Sequence, residues 1–135
     1  MPTYSVRSRE NLKTCHKDLR AIFNAVILHY DCTIIQGHRG EAEQNEAYRE
    51  GKSQLKFPQS KHNKSPSMAV DVAPYPIDWS DLDRFRHFAG YAQGVSDMLH
   101  SQGMISHRLR WGGDWNMDKQ FRDNSFNDLP HFELV

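Results

Sequence analysis

The chain has 135 residues, room for one compact domain rather than two, and its 38% hydrophobic and 25% charged residues describe an ordinary globular protein, not a disordered or fibrous one. Seventeen basic residues balance seventeen acidic ones, so no global field draws the chain to nucleic acid or to an anionic membrane. Cys15 and Cys32 are too few for a disulfide scaffold and are expected as buried thiols of a protein made in a reducing compartment.

The opening Met1-Pro2-Thr3-Tyr4-Ser5 lacks a basic segment followed by an apolar run, and no stretch reaches the roughly eighteen apolar residues of a membrane span. The expectation is a chain with no export signal and no membrane insertion. Over residues 8–30, Leu12, Cys15, Leu19, Ile22, Phe23, Val26 and Ile27 recur at helical spacing and predict one long helix with Ser8 as its N-cap. The β-branched run 32–36 predicts a strand ending at Gly37, before a turn through His38, Arg39 and Gly40 that can face a site. Good helix formers over 41–50 stop at Gly51, which suits a glycine-capped helix.

A proline-punctuated loop follows, interrupted by a strand at 68–73 that carries Asp71 among apolar neighbours. Trp79-Ser80-Asp81-Leu82-Asp83 reads as a helix start, and the stripe Leu82, Phe85, Phe88, Ala92, Val95 and Leu99 predicts a second long helix ending at Gly103. Short strands at 108–111 and 132–135 flank a loop rich in Gly, Asp and Asn. The order α, β, α, β, α, β, β favours an α+β domain, with helices on one face of a small, mainly antiparallel sheet.

His62, Asp71 and His131 each sit beside or within a predicted strand. An unpaired buried carboxylate is costly, and a divalent cation removes that cost; two imidazoles and one carboxylate leave a fourth tetrahedral position for water, as in a catalytic zinc site. No local motif ties the three together, so from the residues alone metal binding and plain hydrogen-bonded burial both stay open. His16, His29, His87, His100 and His107 read as solvated or packed residues.

Four blocks in order, Ser60-Lys61-His62, Ala69-Val70-Asp71-Val72-Ala73-Pro74, Trp111-Gly112-Gly113-Asp114-Trp115 and Asp128-Leu129-Pro130-His131-Phe132-Glu133-Leu134, resemble the signature of the VanY-like D-alanyl-D-alanine carboxypeptidase family of zinc peptidases. The likeness is greatest to its phage endolysins of the L-alanyl-D-glutamate peptidase type. It implies a Hedgehog/D-Ala-D-Ala peptidase-like fold and one catalytic Zn2+ on His62, Asp71 and His131. It further implies Asp128 as general base, and Arg39, followed by Gln44, near the substrate carbonyl. The implied substrate is a peptidoglycan stem peptide, reached by a monomer made in the host cytoplasm and released through a holin.

Around that centre, Glu133 shares a strand face with His131 and either orients its ring or is a solvated edge charge. Asp114 shapes the site wall or binds a ligand histidine, Ser60 and Gln44 belong to the surroundings or the substrate path, and Trp111 and Trp115 divide between core and platform. The spacer 63–70 is longer than in many family members, and the extra residues are expected to bulge outward. Alternatives are a D-Ala-D-Ala carboxypeptidase or dipeptidase with the same metal site, and a non-catalytic zinc module that binds the wall.

Overall fold

The computed structural model describes residues 1–120, 122 and 127–135. Its elements are α1 (Val6–Lys13), α2 (Lys17–Val26), β1 (Cys32–Gln36), α3 (Glu41–Arg49), a 3-10 turn (Lys61–Asn63), β2 (Ala69–Pro74), α4 (Leu82–Ser101), β3 (Leu109–Trp111) and β4 (His131–Leu134). The strands form one antiparallel sheet in the order β1-β2-β4-β3. No helix among the described residues is long and apolar enough to cross a membrane.

Period-two alternation divides the sheet into a core face and a site face. Ile34, Val70, Val72, Leu109, Trp111, Phe132 and Leu134 join the apolar core with Leu19, Ile22, Phe23 and Val26 of α2 and Phe88, Ala89 and Ala92 of α4. Asp71, His131 and Glu133 alternate with these residues and turn to the opposite side. The α+β expectation holds, with α1, α2 and α4 on the core; α3 buries only Gln44.

The single helix expected over 8–30 is two. Helix α1 starts at Ser5, whose hydroxyl accepts from the Ser8 amide, while Ser8 itself is buried and its Oγ accepts from Ile34 N at 3.1 Å. The break falls at Thr14, Cys15 and His16, where Ser67 N donates to Thr14 O and His16 N to Ser67 O, both at 2.8 Å. His16 then caps α2 through its ring, accepting from Asp18 N at 3.0 Å. Apolar periodicity runs in phase through the break because Cys15 is buried like the residues of α2, so spacing alone does not reveal it.

The same contacts account for the long spacer. Lys64, Ser65 and Pro66 are exposed, as expected, but Ser67 is fully buried and ties the spacer to the α1–α2 junction. Gly37 is required there: a Cβ at this position would lie 2.4 Å from Asn11 O. Both cysteines are free and buried.

Candidate active site

Register sets two of the three expected ligands side by side, for Asp71 of β2 is the cross-strand partner of His131 of β4. A bulge between Ile34 and Gln36 in β1 brings Gln36 opposite Asp71 as well. His62 arrives from the 3-10 turn, whose first residue is preceded by the capping Ser60; the Ser60 hydroxyl accepts from His62 N at 3.2 Å. Arg39 N donates to His62 O at 2.8 Å and so joins that turn to the segment after β1.

The ring contacts determine which nitrogens face inward. His62 Nδ1 donates to Gly37 O at 2.8 Å, leaving Nε2 3.2 Å from Asp71 Oδ1. His131 Nε2 donates to Glu133 Oε1 at 2.8 Å, leaving Nδ1 3.4 Å from the same Asp71 oxygen. The three inward atoms lie within 4.8 Å of one another. Burial opposes the charge on Asp71, but the positive charge of His62 and hydrogen bonds from both imidazoles outweigh it and hold the carboxyl well below the usual range. Burial lowers the His131 pKa, yet its bonds to Asp71 and Glu133 prevail and push it up to about 9.

Arg39 is buried and anchored on three sides: Nη2 to Asp71 Oδ2 at 3.3 Å, Nε to Gln36 Oε1 at 3.0 Å and Nη1 to Gln44 Oε1 at 3.0 Å. Gln44, fully buried, also donates to Leu55 O and Ser53 Oγ, and Asn63 donates to both Arg39 O and Gln44 Oε1. Glu133 is no solvated edge charge. It lies buried between His131 and the guanidinium of Arg110, with Lys61 Nζ at 3.5 Å.

Asp128 stands beside the cluster, held by backbone bonds of its own amide to Gly112 O at 2.8 Å and of its carbonyl to His131 N at 3.0 Å. The approach is so close that a Cβ on Gly112 would lie 2.1 Å from Asp128 O. Burial and the charge of Asp71 push the Asp128 carboxyl up to about 6, against the opposing pull of His131, His62 and Arg39. Trp115 lies over His131 with ring centroids 5.3 Å apart, whereas Trp111 is core.

Asp114 is buried; its carboxylate accepts from the backbone amides of Asp118 and Lys119 and staples its own loop. Sequence reasoning passed over Gln36, Asn63, Lys61 and Arg110. The signals present were only a polar strand end and a basic residue beside a ligand.

Two clefts flank the cluster. One of about 500 Å³ is lined by Lys61, His62, Arg110, Trp115 and His131, the other of about 840 Å³ by Glu43, Glu46, Asp71, Trp79 and Phe85, and Arg39 and Asp128 line both.

Among the described residues a second group, His16, Asp18 and His107, also gathers three donor atoms. Its tautomers differ. His16 Nδ1 spends its lone pair on Asp18 N, and His107 Nδ1 donates to Asp18 Oδ2 at 2.7 Å, an oxygen that already accepts from Ser106 N and His107 N. That group is a hydrogen-bonded tie between α2 and the entry to β3.

The crystal structure of the L-Ala D-Glu endopeptidase ChiX of Serratia marcescens is similar to this one, with a TM-score of 0.69 and 27% identity over 98% of this chain and 90% of that one. Fold and site thus define the class, an α+β endopeptidase with its polar centre on the sheet face away from the core. An L-alanyl-D-glutamate peptidase of Escherichia phage T5 is 31% identical over 98% of this chain and 97% of its own, and the profile of the family described as phage L-alanyl-D-glutamate peptidase matches residues 2–135. The chain belongs to the phage L-alanyl-D-glutamate peptidase family.

Proposed function

We propose that residues 1–135 act as one zinc peptidase domain that hydrolyses the L-Ala–D-Glu bond of peptidoglycan stem peptides, with His62, Asp71 and His131 as the metal ligands. The observation that carries this reading is the pair of outward hydrogen bonds, His62 Nδ1 to Gly37 O and His131 Nε2 to Glu133 Oε1, which turn the other nitrogen of each ring toward Asp71 Oδ1. A ligating histidine ordinarily donates its other N–H to a carbonyl or carboxylate, and two imidazoles with one carboxylate fit zinc with a position left for water. When bound, the ion supplies Lewis acidity toward the scissile carbonyl and toward water.

The chain's own residues supply the rest. Asp128, held ready to take a proton near neutrality, serves as general base and then returns that proton to the leaving amine. Arg39 pins Asp71 through Oδ2, and its position on both clefts puts positive charge where the oxyanion develops. Gln36, Gln44 and Asn63 hold Arg39 in place, while Glu133, Arg110 and Lys61 hold His131. Clefts on both sides of Asp128 suit an endopeptidase, which needs room for substrate beyond either end of the bond. The domain is read as a monomer that reaches the wall through a holin.

The test is digestion of purified peptidoglycan by the zinc-loaded protein beside Asp128→Ala, with mass spectrometry of the new termini. New L-Ala C-termini and D-Glu N-termini, lost in the variant, are the expected result. Release of terminal D-Ala alone would replace the reading by a carboxypeptidase, and one bound zinc without cleavage by a wall-binding module.

A further inference from the structure

The two clefts that meet at Asp128 and Arg39 differ in charge. The walls of the smaller cleft carry Arg39, Lys61 and Arg110 against Asp128 and Glu133. Its cations stand forward of their partner: the Lys61 and Arg110 side chains are 34% and 30% exposed, that of Glu133 only 8%. The larger cleft carries Glu43, Glu46, Glu50, Asp71 and Asp128 against Arg39 and Lys52. Its wall also holds Trp79, which is 58% exposed and stacked on Phe85 at 5.4 Å with the rings 20° from parallel.

An L-alanyl-D-glutamyl bond is itself asymmetric. Whichever carboxyl of the glutamate continues the chain, its other carboxyl stays free, so negative charge lies on the leaving-amine side. The acyl side carries alanine and, in peptidoglycan, an uncharged amide link to the sugar strand.

We propose that the glutamyl side of the substrate lies in the smaller cleft with its free carboxylate on Lys61 and Arg110, and that the alanyl side runs over Trp79 in the larger cleft toward the sugar. The assignment rests on the proposed reaction and deepens it. In the reverse orientation the free carboxylate would face Glu43, Glu46 and Glu50. Glu46 pairs with Arg49 and Glu50 with Lys52, but among the described residues that wall offers no cation standing forward of a buried partner as Lys61 and Arg110 do, and Glu43 repels the carboxylate. An exposed indole offers the flat apolar surface on which the C–H face of a sugar or a small acyl group packs.

Steady-state kinetics on two synthetic peptides tests it: N-acetyl-L-Ala-γ-D-Glu-L-Lys, and the same peptide with the free glutamate carboxyl amidated. A hydrogen-bonded charge contact is worth about tenfold in binding, so amidation should raise the wild-type KM by about that factor with kcat little changed. In Lys61→Gln and Arg110→Gln the penalty should shrink or vanish, and Arg110→Lys should restore part of it. Since Arg110 also supports Glu133, a merely structural role would lower kcat on both peptides and leave the penalty intact.

Trp79→Ala should raise KM more for a sugar-bearing peptide than for the acetylated one. An amidation penalty that persists in both charge variants overturns the orientation, as does a Trp79→Ala effect that is the same with and without the sugar. If the wild type cuts neither peptide, the reaction itself is wrong and the orientation falls with it.

Discussion

Burial and the charge of Asp71 disfavour the ionisation of Asp128 more than His131, His62 and Arg39 favour it, and this makes it useful at a cost in stability. Its carboxyl, pushed up to about 6, binds a proton in the folded protein at pH values where the unfolded chain has already released it. Folded-state stability of the metal-free protein should therefore fall as pH rises from about 4 to about 6, and the full deficit stands above that window, on the order of 3 kcal/mol. Asp128→Asn should abolish hydrolysis and, in the absence of metal, raise the urea midpoint at pH 8; at pH 4 the gain should be close to zero. A variant no more stable at pH 8 would mean that the carboxyl is not strained where it stands.

Glu133 acts one step further out. Glu133→Gln keeps an oxygen for His131 Nε2 but loses the ion pairs with Arg110 and Lys61. Zinc affinity, measured by competition with a chelator, should fall roughly 10- to 100-fold, as is usual for partners of ligating histidines.

At the scale of elements, the tie between α2 and β3 carries a different pH signature. Burial raises the Asp18 carboxyl, but the hydrogen bonds from His107 and from the backbone of Ser106 and His107 outweigh it, so its pKa is lowered in the fold. The stability it contributes is present above the unfolded pKa and is lost as pH falls through the folded one. Asp18→Asn should cost roughly 1–3 kcal/mol at pH 7, a difference that shrinks in strong acid, and should leave zinc stoichiometry unchanged. Loss of a bound zinc on this substitution would contradict the tautomer argument.

Elements also mark how far sequence reasoning reaches. Strand β1 was legible to its ends because its β-branched run stops at Gly37, and α3 and α4 were legible from their caps and glycine stops. The break between α1 and α2 was not, because it is made by Ser67 from a distant loop. His62, Asp71 and His131 could be named from ordered motifs, yet their meeting depends on register and on the 3-10 turn. Arg110 and Lys61 went unnoticed since nothing local distinguishes a basic residue that supports a buried carboxylate from one that faces solvent.

For the whole molecule, metal and fold should be linked. A ligand that binds only the folded state stabilises it by about 2.7 kcal/mol at a hundredfold excess over Kd. Zinc should raise the melting temperature of the wild type and of Asp128→Asn but not of Asp71→Asn, and removal by EDTA should reverse the gain. An equal rise in Asp71→Asn would place the metal elsewhere.

Strands β2 and β4 present apolar residues to one side and the polar centre to the other, one residue after the next. Heredity treats two kinds of error at this place very differently. A single substitution in His131–Leu134 damages either the interior or the chemistry, whereas the gain or loss of one codon there exchanges them and sends Phe132 outward and His131 into the oil. Descendants of this protein should thus vary in length freely through the loops and almost never within these two strands, and an engineer who wishes to lengthen the domain has the same map.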